Sequence, residues 1–129
     1  MPRPANRLPA RLDAELALLG LAGGAASGFV PPREVAATAS RGLALREEFG
    51  RGGTEVGLAR ARALAARRPL TAAEMRQAAG WFARFAYLAR TSGWGDDAAP
   101  STGWIAWQLW GGDPGRAWVE ANRAAWADG

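Results

Sequence analysis

Apolar residues recur along most of this chain at the three-to-four-residue spacing of helices, and no period-two alternation of the kind strands show is present. Leu8, Leu12, Leu16 and Leu19 predict a first amphipathic helix over about residues 9–21. The run Gly23-Gly24-Ala25-Ala26-Ser27-Gly28 predicts a connection after it. A second helix is expected to open at Pro31-Pro32, since proline is tolerated in a first turn, and to run to about Phe49. Val35, Ala39, Leu43 and Phe49 would form its buried side, with Gly42 as a weak point.

Local capping chemistry marks the remaining boundaries. Gly50-Arg51-Gly52-Gly53 breaks the chain, and Thr54 is a good N-cap for a third helix through about Arg68, ended by Pro69. Thr71 and Glu74 have the spacing of a capping box, and Leu70 with Met75 supplies a hydrophobic staple for the fourth helix. On that helix Met75, Ala78, Ala79, Trp81, Phe82, Phe85, Ala86, Leu88 and Ala89 share one half of the wheel, against Arg76, Gln77, Arg84 and Tyr87 on the other. Thr91 to Pro100 reads as a polar loop. Ser101 caps a short fifth helix whose residues Trp104, Ile105, Trp107, Leu109 and Trp110 point to nearly every side, which predicts a central, buried position. Gly111-Gly112 stops it, and Asp113 as N-cap with Pro114 behind it predicts a sixth helix to about Ala127. The fold class expected is all-α, a compact bundle of five to six short helices with a Trp-rich core. Its domain would cover residues 9–129, preceded by a proline-containing arm over residues 1–8.

Composition changes this picture by what it lacks. The chain of 129 residues contains no Cys, no His and no Lys, so all sixteen basic residues are Arg. Thiol nucleophiles, histidine bases, Cys/His zinc sites and catalytic or phosphate-loop lysines are thereby excluded. No apolar run is long enough for a membrane span, and no signal peptide is read at the N-terminus. The formal net charge of +4 is unevenly spread. Residues 41–90 carry ten Arg against four acids, whereas residues 91–129 carry two Arg against five. An anionic partner should therefore meet the middle of the chain.

Other candidate chemistry is thin. The Gly50–Gly53 turn leads into a helix N-terminus, which favours anions, but its spacing matches no phosphate fingerprint and Glu55 would repel one. Asp96 and Asp97, joined by Asp113, could offer oxygen ligands to a divalent cation, yet adjacent carboxylates in such a loop are more often solvated turn residues. Neither a metal site nor a cofactor is expected. Glu47 and Glu48 diverge as neighbours on a helix and make no acid–base pair.

The arginines carry the functional expectation. Arg60 and Arg67 lie about 20° apart at 100° per residue, Arg68 is near them, and Arg76 and Arg84 project from the next helix beside Tyr87. Arg60, Arg67, Arg68, Arg76 and Arg84 would together grip phosphates. The opposing reading is a solvated Arg-rich surface from a composition biased towards Ala, Arg and Gly, which the absence of Lys favours. Most of the seven Trp read as core, with Trp94 in its loop as the anchor for a protein partner.

The run Arg51-Gly52-Gly53-Thr54, Val56-Gly57 and Ala59-Arg60-Ala61-Arg62-Ala63-Leu64 is followed by Trp81-Phe82-Ala83-Arg84. Then come Pro100-Ser101, Ile105-Ala106-Trp107 and Leu109-Trp110-Gly111-Gly112-Asp113-Pro114-Gly115-Arg116-Ala117-Trp118. Over about residues 42–118 this pattern resembles a short domain of bacteriophage and other mobile-element proteins, departing from it at Phe85, where a His would be expected. The resemblance implies a phage or mobile-element setting, and no site residues carry over from it. The expectation is a non-enzymatic accessory protein that associates with nucleic acid, located in the host cytoplasm or the virion. The alternative is a virion structural or assembly protein acting through protein contacts or self-assembly. No membrane association is expected.

Overall fold

The computed structural model describes residues 28–127. The helix expected over residues 9–21, the arm before it and most of the glycine-rich connection lie outside the described residues. Six α-helices follow in order: α1 (Arg33–Phe49), α2 (Glu55–Ala65), α3 (Ala72–Phe85), α4 (Thr102–Leu109), α5 (Gly112–Ala121) and α6 (Arg123–Trp126). A 3-10 segment, Ala86–Arg90, continues α3. Among the described residues there is no strand, and Phe29 and Leu70 form one isolated antiparallel pair. The all-α expectation is met.

Helix α4 sits at the centre, as its apolar circumference requires. Ile105, Trp107, Leu109 and the following Trp110 are buried. Helix α1 packs chiefly on α2 and α4, and α3 on α5 and α6. One contiguous core joins Val35 and Ala39 of α1, Leu58, Ala61 and Leu64 of α2, and Met75 and Phe82 of α3 to the α4 residues. Aromatic rings fill much of it. Trp81 stacks on Trp110 with centroids 5.0 Å apart, and Phe82 meets Trp107 edge-on at 4.9 Å, both favoured arrangements.

Three predicted caps form. The Thr54 hydroxyl accepts from the Gly57 N–H at 3.2 Å. Ser101 accepts from the Trp104 N–H at 3.0 Å. Both halves of the Thr71–Glu74 capping box are present, at 3.1 and 2.9 Å.

Four details differ from expectation. Helix α2 ends at Ala65, short of Arg68, because Arg67 takes a left-handed φ of 55° and closes a Schellman turn. Its two bonds run from Arg67 N–H to Leu64 O and from Arg68 N–H to Ala63 O. Helix α5 starts at Gly112, so Asp113 lies inside it, and the Asp113 carboxylate accepts from Trp107 Nε1 at 2.8 Å. The last expected helix is broken at Asn122 into α5 and α6. Gly42, expected only as a weak point, also lets α1 press closely on α4: a Cβ there would sit 2.6 Å from the Leu109 nitrogen.

Candidate functional site: the cleft between α2 and α3

Helices α2 and α3 are consecutive but make almost no direct backbone approach, because the Trp110 indole is wedged between them. It meets α2 at Gly57, where a Cβ would be 3.3 Å from Trp110 Nε1, and it meets α3 at the stacked Trp81.

Arg60 spans this cleft. Its side chain is only 10% exposed, pairs with Glu74 Oε2 at 3.4 Å and donates to Gln77 Oε1 at 2.9 Å. Its guanidinium carbon lies 5.8 Å from the centre of the Trp110 ring, within cation–π range. Burial pushes the Glu74 carboxyl up, but the Thr71 N–H and the charge and hydrogen bond of Arg60 outweigh it, holding Glu74 below its ordinary pKa.

Two hollows lie along α3, the first between α2 and α3 and the second between α3 and α4 beside the turn that precedes α2. The first, about 340 Å³, lies by the α2–α3 turn and is lined by Val56, Arg60, Arg68, Leu70, Glu74 and Gln77 among others. The second, about 260 Å³, is walled by Trp81, Phe85, Leu88, Ala106 and Trp110, with Thr54 and Thr102 bringing hydroxyl groups to its lining. Arg84 stands beside this aromatic hollow, its guanidinium 5.3 Å from the Phe85 ring centre.

The five arginines read from the sequence fall into two groups. Arg67 Nε donates to the Pro31 carbonyl at 2.8 Å, and Arg76 Nη1 to the Trp126 carbonyl at 2.6 Å. These two guanidiniums tie distant backbone segments together, and Arg60 is engaged inside the cleft. Arg68 and Arg84 are exposed and have no carboxylate partner among the described residues. Trp94, nominated as a partner anchor, is partly buried and packs edge-on against Trp104 and Trp107, at 5.0 and 5.1 Å.

The weaker candidates disperse. Asp96 accepts from Ala98 and Ala99 N–H groups, and Asp97 from Trp104 Nε1 and Arg41. With Asp113 bound to Trp107, no three His, Cys, Asp or Glu groups converge among the described residues. The Gly52–Gly53 turn packs on α4: a Cβ on Gly52 would fall 2.7 Å from Ile105 Cβ, and one on Gly53 2.5 Å from Leu109 Cδ1.

Sequence reasoning missed the aromatic hollow. Trp81, Phe85 and Trp110 all read as core in the sequence, and the hollow exists only because α3 and the end of α4 bring them together. The faint available signal was Phe85, followed by a polar loop at the end of the fourth predicted helix. No family model, curated protein or solved structure matches this chain.

Proposed function

We propose that the protein is a non-enzymatic accessory factor that associates with nucleic acid through the α2–α3 cleft. The observation that supports this best is the placing of two arginines, both exposed and without a carboxylate partner among the described residues: Arg68 lines the first hollow, and Arg84 lies against Phe85 of the second. Helices α2 and α3 also lie within the most basic part of the chain, residues 41–90. Guanidinium groups held open to solvent attract phosphate oxygens and form charge-assisted hydrogen bonds to them. Association driven this way releases counterions and weakens with added salt, with little dependence on base sequence. A phage or mobile-element setting, suggested by the sequence pattern between Arg51 and Trp118, suits such a role. The assembly alternative is less favoured, because Trp94 packs inward on two other indoles.

A titration of the protein against short oligonucleotides, followed by fluorescence anisotropy at low and moderate salt, tests the proposal. Binding at low salt that falls as salt rises is the outcome expected. Absence of binding at low salt overturns it.

A further inference from the structure

We infer that the aromatic hollow walled by Trp81, Phe85 and Trp110 receives one unpaired nucleobase, which makes the protein prefer single-stranded over duplex nucleic acid. This rests on the nucleic-acid reading above and specifies the form that the cleft takes.

The size of the hollow restricts its occupant. At about 260 Å³ it falls below the ~300 Å³ at which pockets for drug-sized ligands begin. A single planar ring system fits that space, and an extended ligand does not. The walls are aromatic and aliphatic, and because Trp81 and Trp110 already stack on each other, the favourable contact for an inserted ring is edge-on packing against them and against Phe85. A duplex keeps its bases stacked on one another and cannot offer such a face without paying to unstack one, whereas a single strand offers it freely.

Charge complementarity indicates that the planar group belongs to a polyanion. Among the described residues one free cation stands by the aromatic walls, Arg84 at 5.3 Å from the Phe85 ring centre, whereas Arg60 over Trp110 is already paired with Glu74. A nucleotide seated with its base in the hollow would bring its phosphates to the rim where Arg84 is exposed. Among the lining residues Thr54 and Thr102 carry hydroxyls, the Thr54 oxygen already accepting from the Gly57 N–H. A hydroxyl both donates and accepts, so neither side chain selects one base over another. The inferred preference is therefore for strand form, with weak base discrimination.

Two ligands and two variants test this. Fluorescein-labelled oligothymidylate and a mixed-sequence duplex of equal length are titrated at the same low salt, with the tryptophan emission followed in parallel on unlabelled strands. The wild-type protein should bind the single strand about tenfold more tightly, the lower range of one stacked base, and its tryptophan emission should be quenched. Ala106→Met, which fills the hollow from α4, and Phe85→Leu, which shrinks its aromatic wall, should each bring the ratio of the two affinities close to one. Urea unfolding midpoints identify which variants remain folded, and either one suffices. Equal affinity of the wild-type protein for the two forms overturns the inference and leaves the broader reading standing. A preference that persists in a folded variant also overturns it. Failure of both forms to bind overturns both proposals.

Discussion

At Gly42 the absence of one methyl group decides how close two helices come. The Cβ of any larger residue would lie 2.6 Å from the Leu109 nitrogen and 2.8 Å from the Gln108 carbonyl carbon. These are backbone atoms of the central helix and cannot swing aside, so α1 and α4 would have to separate. Gly80 provides the contrast: it is exposed on α3, and a Cβ there meets nothing within 4 Å. Gly42→Ala should therefore destabilise the protein by roughly 2 kcal/mol, a typical cost of overpacking a close contact. Gly80→Ala should stabilise it by about 0.5–1 kcal/mol through backbone entropy and helix propensity. Urea unfolding of the two variants checks both, and equal shifts of the same sign would refute the packing account. From the sequence, Gly42 reads only as a poor helix former, because the identity of the helix pressed against it is a long-range fact. The same limit applies to Arg67 and Arg76. Their spacing on a helical wheel is legible, but the Pro31 and Trp126 carbonyls that engage them lie 36 and 50 residues away in the chain.

Among the elements, α3 is the one whose start is most fully determined by its own residues. Thr71 and Glu74 satisfy each other's backbone N–H groups, and Leu70 and Met75 are both buried beneath them. Such reciprocal chemistry is local, which is why the starts marked by Thr54, Thr71 and Ser101 were legible in sequence. Asp113 fits the same pattern and yet fails, because the Trp107 indole on the preceding helix takes its carboxylate. Thr71→Ala should cost about 1 kcal/mol, the usual value of an N-cap. Glu74 adds a pH dependence of known sign. Its folded pKa lies below the ordinary 4.5, so its stabilising contribution is complete above that value and is lost as pH falls through the folded pKa. In Glu74→Gln, which keeps a side-chain acceptor for the capping box but not the charge facing Arg60, that part of the acid sensitivity should disappear. Urea midpoints at about pH 6 and about pH 3 should therefore lie closer together in the variant than in the wild-type protein. An unchanged difference would show that other carboxylates dominate.

For the whole molecule, the division of the basic segment into structural and free arginines determines how strongly salt should act. Five cations read from sequence suggest a steep dependence, but Arg67 and Arg76 are committed to backbone carbonyls and Arg60 to Glu74 and Gln77. With Arg68 and Arg84 as the principal phosphate contacts, about two counterions are released. The slope of log affinity against log salt should then be near −1.4 on single strands and −1.8 on duplex. Arg68→Ala and Arg84→Ala should each flatten the slope by about 0.7 on single strands and about 0.9 on duplex, and weaken binding to all sequences alike. Arg67→Ala and Arg76→Ala should instead lower the unfolding free energy, by about 1 kcal/mol each for a lost hydrogen bond from a charged group in a partly exposed setting. Below their unfolding transitions, both should retain the wild-type salt slope. Anisotropy titrations across a salt series, set beside urea unfolding of the same four variants, separate the two classes. A slope that responds to Arg67 or Arg76 as strongly as to Arg68 or Arg84 would mean that phosphates are met by the whole basic surface, and that the cleft between α2 and α3 has no special part in binding.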